Sequence, residues 1–383
     1  MENKKKFQYG NIIAISFAHM LHDIYSAFLA PILPLLIDKF KLSYTLAGLL
    51  TVVRNIPALF NPFVGLAADK LPLRYLLIFA PSATVVCMSL LGIAPYYSIV
   101  VVLLFVMGIS ASLFHVPAPV MVRKIAGSRI GKGMGFFMFG GEIARSIGPL
   151  VILSGITLWG LEGTYKLIPF GLTASAILFF KFRKIKISDD FKNPEKLRTP
   201  FHTFKQHLPL LTMIAGVSFF VSIIKAALTT FLPTYFSAQG SSLWTGGIAL
   251  SIFQLTGAIG TMISGTISDK LGRKNTLLII VIANPILMLL FVYSGGIFVY
   301  PFLALLGLFA MAVTPIFLAI INETASERPA FLNGLYMTVN FGTGAVTVLM
   351  IGFLGDLFGL ELTYKISALL GFAAIPFILK IKK

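Results

Sequence analysis

The stretch SFAHMLHDIYSAFLAPILP at 16–34 lies in an apolar run, yet carries His19, His22 and Asp23 within five positions. Imidazole and carboxylate groups this close can take up, hold and release protons, because each changes charge when a neighbour or the local dielectric changes. His19 and Asp23 are four apart, so a helix sets them on one face, and His22 points elsewhere. Other apolar runs hold Arg54, Glu142, Arg145 and Lys225, together with the polar side chains Tyr25, His115, Gln254, Tyr336 and Asn340. No nucleophile paired with a base and no phosphate-binding loop accompanies them, so no enzyme and no cofactor are expected. No pair of histidines has ligand spacing with a carboxylate beyond the first cluster, so no metal site is expected either.

The elements that must position these groups follow from composition. Of 383 residues, 57% are hydrophobic and only 12% charged, against about 25% charged in soluble domains. Apolar runs of near-membrane length recur throughout, and their polar faces are too narrow for soluble helices. Twelve such runs are expected to be transmembrane helices. The one long polar connection, FRKIKISDDFKNPEKLRTPFHTFKQH at 182–207, divides them into six-helix bundles at 1–181 and 208–383. The fold expected is all-α and integral to the membrane, with two six-helix pseudo-repeats.

The net charge of +17 is a topology signal. With the N-terminus inside, basic residues crowd the inner loops, and the outer loops hold only Lys39, Lys41, Lys166 and Lys365. This bias places both termini in the cytoplasm and argues against a nucleic-acid partner. The expected location is the inner (plasma) membrane, with the lipid bilayer as partner and a monomer as the assembly. The opening MENKKKFQYGNIIAISFA runs on into charged residues without a cleavage site and reads as an uncleaved first helix. Cys87 is the single cysteine, so no internal disulfide forms.

The two halves share a decapeptide. GLAADKLPLR at 65–74 and GTISDKLGRK at 265–274 are offset by 200 residues and repeat Gly, Asp, Lys and Leu in place. Each occupies the second inner loop of its half, where Asp69 with Arg74 and Asp269 with Arg273 can pair at helix ends. With Glu323, at the inner end of the tenth helix, these residues form the expected cytoplasmic gate. The repeat resembles motif A of the major facilitator superfamily, the second copy more closely, because Pro72 replaces a glycine in the first. SFAHMLHD, ASLFHVPAPVMVRKIAG, FGGEIARSIGP, INETASER and ELTYKISA further resemble the fosmidomycin-resistance family of drug exporters. That resemblance implies a proton-driven exporter of small molecules.

At about 1.5 Å rise per residue, Asp23, Arg54, Glu142 and Arg145 fall at depths of roughly 15–21 Å from the inner surface, one level of the first half. A charge there costs about 2.5–3.5 kcal/mol on insertion scales, so such residues face a partner or a cavity. Asp23 and Glu142 are the expected proton-coupling acids, with Arg54 and Arg145 as their charge partners. Structural ion pairs are the competing reading. His19, Tyr25, His115, Lys225, Gln254, Tyr336 and Asn340 are the expected lining of a small-molecule cavity. GGEIARSIGP resembles an antiporter motif, in which Gly141 and Gly148, seven apart, admit close helix packing. The expected function is therefore proton antiport by alternating access. A symporter or uniporter of a small anionic metabolite and a lipid flippase remain open. The two acids and three cations Arg54, Arg145 and Lys225 sum to one positive charge, and protonating both acids leaves three. That balance favours symport for an anion and antiport for a neutral, zwitterionic or cationic substrate.

Overall fold

The computed structural model describes residues 7–61, 73–127, 129–183, 200–324 and 329–380. Among them, nine helices are long and apolar enough to cross a membrane, and two shorter apolar helices cover Tyr44–Phe60 and Leu77–Ser89. The last span, Leu335–Leu379, is 45 residues long. It is interrupted at Gly359, whose φ of 74° and ψ of 160° leave the helical region. A left-handed φ of this kind costs glycine little, so the chain turns there. Large apolar side chains such as Phe170, Phe180, Met262 and Phe353 are exposed, as helices facing hydrocarbon require.

By packing, the chain divides into two units. One comprises residues 1–40 and 53–193, the other residues 41–52 and 194–383. In the first unit, α1 (Tyr9–Ser26) and α2 (Leu29–Phe40) form one apolar span with an irregular joint at residues 27–28. Pro31 lacks the N–H that would bond four residues back, to Ala27, and so favours that joint. The same device divides α5 (Tyr97–His115) from α6 (Pro117–Ala126), where Pro117 opens the second helix. The unit is completed by α4 (Leu73–Ser89), α7 (Ile130–Trp159) and α8 (Ile168–Phe182). Ile12, Ile15, Leu77, Phe114, Met121, Phe137 and Leu178 form its core.

In the second unit, α9 (Pro200–Ala238), α10 (Leu243–Leu271), α11 (Arg273–Tyr293), α12 (Val299–Met311) and α13 (Val313–Glu323) precede α14 (Pro329–Gly371) and α15 (Ile375–Leu379). Leu211, Ile214, Leu277, Ile316, Phe317 and Tyr336 form its core. The helix α9 begins eight residues before the polar connection expected at 182–207 ends. Pro200 suits a first helical position, and polar side chains do not prevent a helix there.

One further helix, α3 (Tyr44–Asn55), has its first residues in the second unit. There the carboxylate of Asp356 accepts the backbone N–H of Tyr44 at 2.5 Å and of Thr45 at 2.9 Å, and the Thr45 hydroxyl at 2.6 Å. These are orphan donors of a helix N-terminus, and an anion there also meets the positive end of the helix dipole.

In the first unit, Gly140, Gly141 and Gly148 of α7 face α1. A Cβ on Gly148 meets the Cβ of Ala27 at 2.6 Å and the carbonyl oxygen of Ile24 at 2.7 Å. Because the backbone of α1 is one of the obstacles, the helices must separate to admit a side chain. Gly148→Val is expected to destabilise the protein by about 1–3 kcal/mol through overpacking. Gly135→Ala, on the same helix with open space around it, should not. Thermal unfolding of the purified variants in detergent checks both.

Candidate functional site

The opening histidines and aspartate are assembled by three helices of the first unit. His19, His22 and Asp23 stand in the last two turns of α1, and His115 is the last residue of α5. His19 Nε2 lies 3.4 Å from Asp23 Oδ2, and His115 Nε2 lies 3.3 Å from Asp23 Oδ1. His22 Nε2 is 4.0 Å from the same Oδ1. That oxygen has ion-pair distances to imidazole but no aligned hydrogen bond, and neither ring nitrogen of His22 has a hydrogen-bond partner. His22 is fully buried, whereas the His115 side chain is 40% exposed and gives the cluster its accessible side.

The third helix, α7, sets the orientation of His19. His19 Nδ1 lies 2.8 Å from the Phe137 carbonyl oxygen. A carbonyl only accepts, so Nδ1 carries the proton and donates. The imidazole also stacks on the Phe137 ring at 4.0 Å, and His22 stacks on Phe114 at 4.7 Å. Gly141, one turn after Phe137, makes the arrangement possible. A Cβ there meets His19 Nε2 at 2.7 Å and Asp23 Oδ2 at 3.2 Å.

With Nδ1 protonated, a neutral His19 turns the lone pair of Nε2 toward a carboxylate oxygen. Two acceptors facing one another across 3.4 Å repel unless positive charge lies between them. The C-terminal ends of α1 and α5 add the negative ends of two helix dipoles. The arrangement therefore favours positive charge beside the Asp23 carboxylate.

Arg54, expected beside Asp23, donates from Nη1 to the carbonyl oxygen of Ser26 at 2.9 Å. It thereby satisfies one of the carbonyls left open at the C-terminus of α1 and acts on Asp23 electrostatically. Glu142 and Arg145 pair directly on α7, with Glu142 mostly buried. Tyr25 is buried and donates its hydroxyl to the Leu167 carbonyl at 2.5 Å, a packing position between helices.

In the second unit, Lys225, Tyr336 and Asn340 line a narrow polar pocket with Ser218, Ser222 and Thr314. Gln254, half-buried on α10, is not part of that lining.

The second decapeptide forms an ion-pair knot. Arg273, at the start of α11, reaches Asp269 at 2.5 Å and Glu323 at 2.6 Å, and donates to the Ser268 hydroxyl. Gly272, with φ of 85°, separates α10 from α11 and turns Arg273 back against the preceding helix. Asp69, its counterpart in the first decapeptide, and the side chain of Arg74 lie outside the described residues. Asp356 was not among the residues singled out in sequence; its only signal is an acid at the turn FLGDLFG between two apolar runs.

Long apolar helices with buried charges facing one another define a multi-pass helical membrane protein. The chain belongs to the Major Facilitator Superfamily, whose sequence profile matches residues 15–347, and is thus a secondary transporter and not an enzyme. It is 26% identical over 377 residues to the fosmidomycin resistance protein of Escherichia coli (strain K12), covering 96% of this chain and 91% of that one. It is 24% identical over 365 residues to the uncharacterized MFS-type transporter YfnC of Bacillus subtilis (strain 168), covering 93% and 88%. Among solved structures, a D-xylose-proton symporter superposes with a TM-score of 0.74 at 16% identity, covering 99% of this chain and 98% of that one. The nucleoside transporter NupG superposes with a TM-score of 0.73 at 17% identity, covering 97% and 99%.

The fork of Arg273 engages two carboxylates at once, a geometry that a lysine ammonium does not reproduce. Arg273→Lys is expected to slow transport by roughly tenfold while leaving equilibrium substrate binding unchanged. Paired flux and binding measurements on the same preparation check it.

Proposed function

We propose that the protein is a proton-coupled antiporter that exports a small organic molecule, with Asp23 as the acid that exchanges the proton. The observation that carries this reading is the Asp23 carboxylate held at 3.3 and 3.4 Å from two imidazoles, inside a bundle and with one accessible side. A group in that setting binds a proton when the site faces one solution and loses it when the surroundings change. His19 and His115 tune the acid, and Arg54 adds a positive field. Glu142, paired with Arg145, is the second candidate for coupling.

Export fits a relative named for resistance to a drug. The substrate would contact Lys225, Tyr336 and Asn340, whose cavity holds one cationic and several neutral polar groups. Asp269, Arg273 and Glu323 serve in this reading as a cytoplasmic gate. Twelve crossings are proposed, counting nine long spans, two shorter helices and the break at Gly359. Both termini are then cytoplasmic and the carrier works in the inner membrane as a monomer. Lys225 favours a second reading, symport with an anion, because protonating Asp23 would strengthen the hold on negative charge.

Proteoliposomes with an imposed pH gradient separate these readings. Antiport predicts substrate movement against the proton flow, and symport predicts movement with it. Asp23→Asn should abolish gradient-driven flux while substrate exchange at equal pH persists. Gradient-driven flux at the wild-type rate in that variant would remove Asp23 from the mechanism.

A further inference from the structure

His19, Asp23 and His115 each present one ligand atom, and the three atoms lie within 4.8 Å of one another. Their separations have a chemical meaning. Zinc–nitrogen and zinc–oxygen bonds of about 2.0–2.2 Å at tetrahedral angles place neighbouring ligand atoms about 3.3–3.5 Å apart. His19 Nε2 lies 3.4 Å from Asp23 Oδ2 and His115 Nε2 lies 3.3 Å from Asp23 Oδ1, so each imidazole stands at that spacing from its own oxygen of the carboxylate.

Three further features match a metal site rather than an ordinary ion pair. His19 Nδ1 is engaged by the Phe137 carbonyl at 2.8 Å, the outer contact that fixes the tautomer of a metal-ligating histidine and leaves Nε2 free to bind. Asp23 Oδ1 and both nitrogens of the fully buried His22 lack hydrogen-bond partners, so unspent ligand capacity remains. Gly141 leaves His19 Nε2 and Asp23 Oδ2 uncrowded on the α7 side, where a Cβ would meet them at 2.7 and 3.2 Å. We propose that His19, Asp23 and His115 bind one divalent first-row transition cation, zinc being the probe.

Sequence spacing sets only His19 beside Asp23; His115 is distant in the chain, and only the fold brings it to the carboxylate. Two imidazoles and one carboxylate suit zinc, cobalt or nickel and not magnesium or calcium, which prefer oxygen ligands throughout. Binding needs neutral imidazole and ionised carboxylate, so the cation competes with protons and weakens as pH falls. His22 on α1, Arg54 on α3, and Glu142 and Arg145 on α7 are the other charged or titratable groups around the site. A carrier loaded with zinc is blocked in the protonation step, so zinc inhibits it.

The proposal uses the same cluster as the antiport reading, and the test separates the two. Zinc chloride is titrated calorimetrically into the full-length protein in detergent, with no substrate and no gradient. One site is expected, weakened at least about tenfold in His115→Gln and in Asp23→Asn, unchanged in His207→Gln, and resistant to excess magnesium. Unchanged zinc affinity in His115→Gln and Asp23→Asn overturns the proposal. Zinc-edge X-ray absorption on the unmutated protein is the second readout: at least two imidazoles in the coordination shell are expected, and fewer overturn it. A zinc site accompanied by wild-type gradient-driven flux in Asp23→Asn sinks the antiport assignment alone. Lost flux in that variant, without a zinc site in the unmutated protein, sinks the metal proposal alone.

Discussion

The close approach of α7 to α1 is the constraint on which the first unit depends. Gly140, Gly141 and Gly148 of α7 let its surface meet α1 before, at and after the polar cluster. At that distance the Phe137 carbonyl reaches His19, and the Phe137 ring covers the imidazole. Without it His19 would have no fixed tautomer, and the carboxylate of Asp23 would face an empty seam or lipid. Burying such groups unpaired is costly in hydrocarbon, so the packing of two helices and the charge chemistry between them are a single problem with a single solution.

The site is also electrostatically consistent across levels. Prolines that interrupt α1–α2 and α5–α6 expose helix C-termini beside the carboxylate, and each contributes negative potential. The Arg54 guanidinium answers one open carbonyl at Ser26. The remaining negative potential favours positive charge at the carboxylate. In the second unit the charges are arranged differently: Arg273 gathers Asp269 and Glu323 at a helix end where solvent screens them, and Lys225 lines a polar cavity.

Much of this was legible in the sequence because it is local. Helix spans follow from apolar runs, the His19–Asp23 and Glu142–Arg145 contacts from spacings of four and three, and the Asp269–Arg273 pair from a repeated decapeptide. What was not legible depends on chain segments meeting in space. His115 reaches Asp23 from another helix, and His22, which helical spacing points elsewhere, still approaches it at 4.0 Å. Arg54 was expected to pair with Asp23 and bonds to a backbone carbonyl instead, an acceptor left open by the end of a helix. Tyr25 looked like a cavity residue, but its hydroxyl is spent on Leu167. Asp356 caps a helix more than 300 positions earlier in the chain, a contact with no local pattern.

The bond from His19 Nδ1 to the Phe137 carbonyl has a kinetic meaning as well. Imidazole passes protons along a chain by receiving at one nitrogen and releasing at the other. Here one nitrogen is committed to an acceptor that has no proton to return, so His19 is a cul-de-sac and not a link in a wire. In the proposed antiport cycle, a proton reaching Nε2 would have to leave from that same nitrogen. Leakage straight across the bundle through this ring would then be closed off, and passage to the far solution would require the surrounding helices to change which side Nε2 faces.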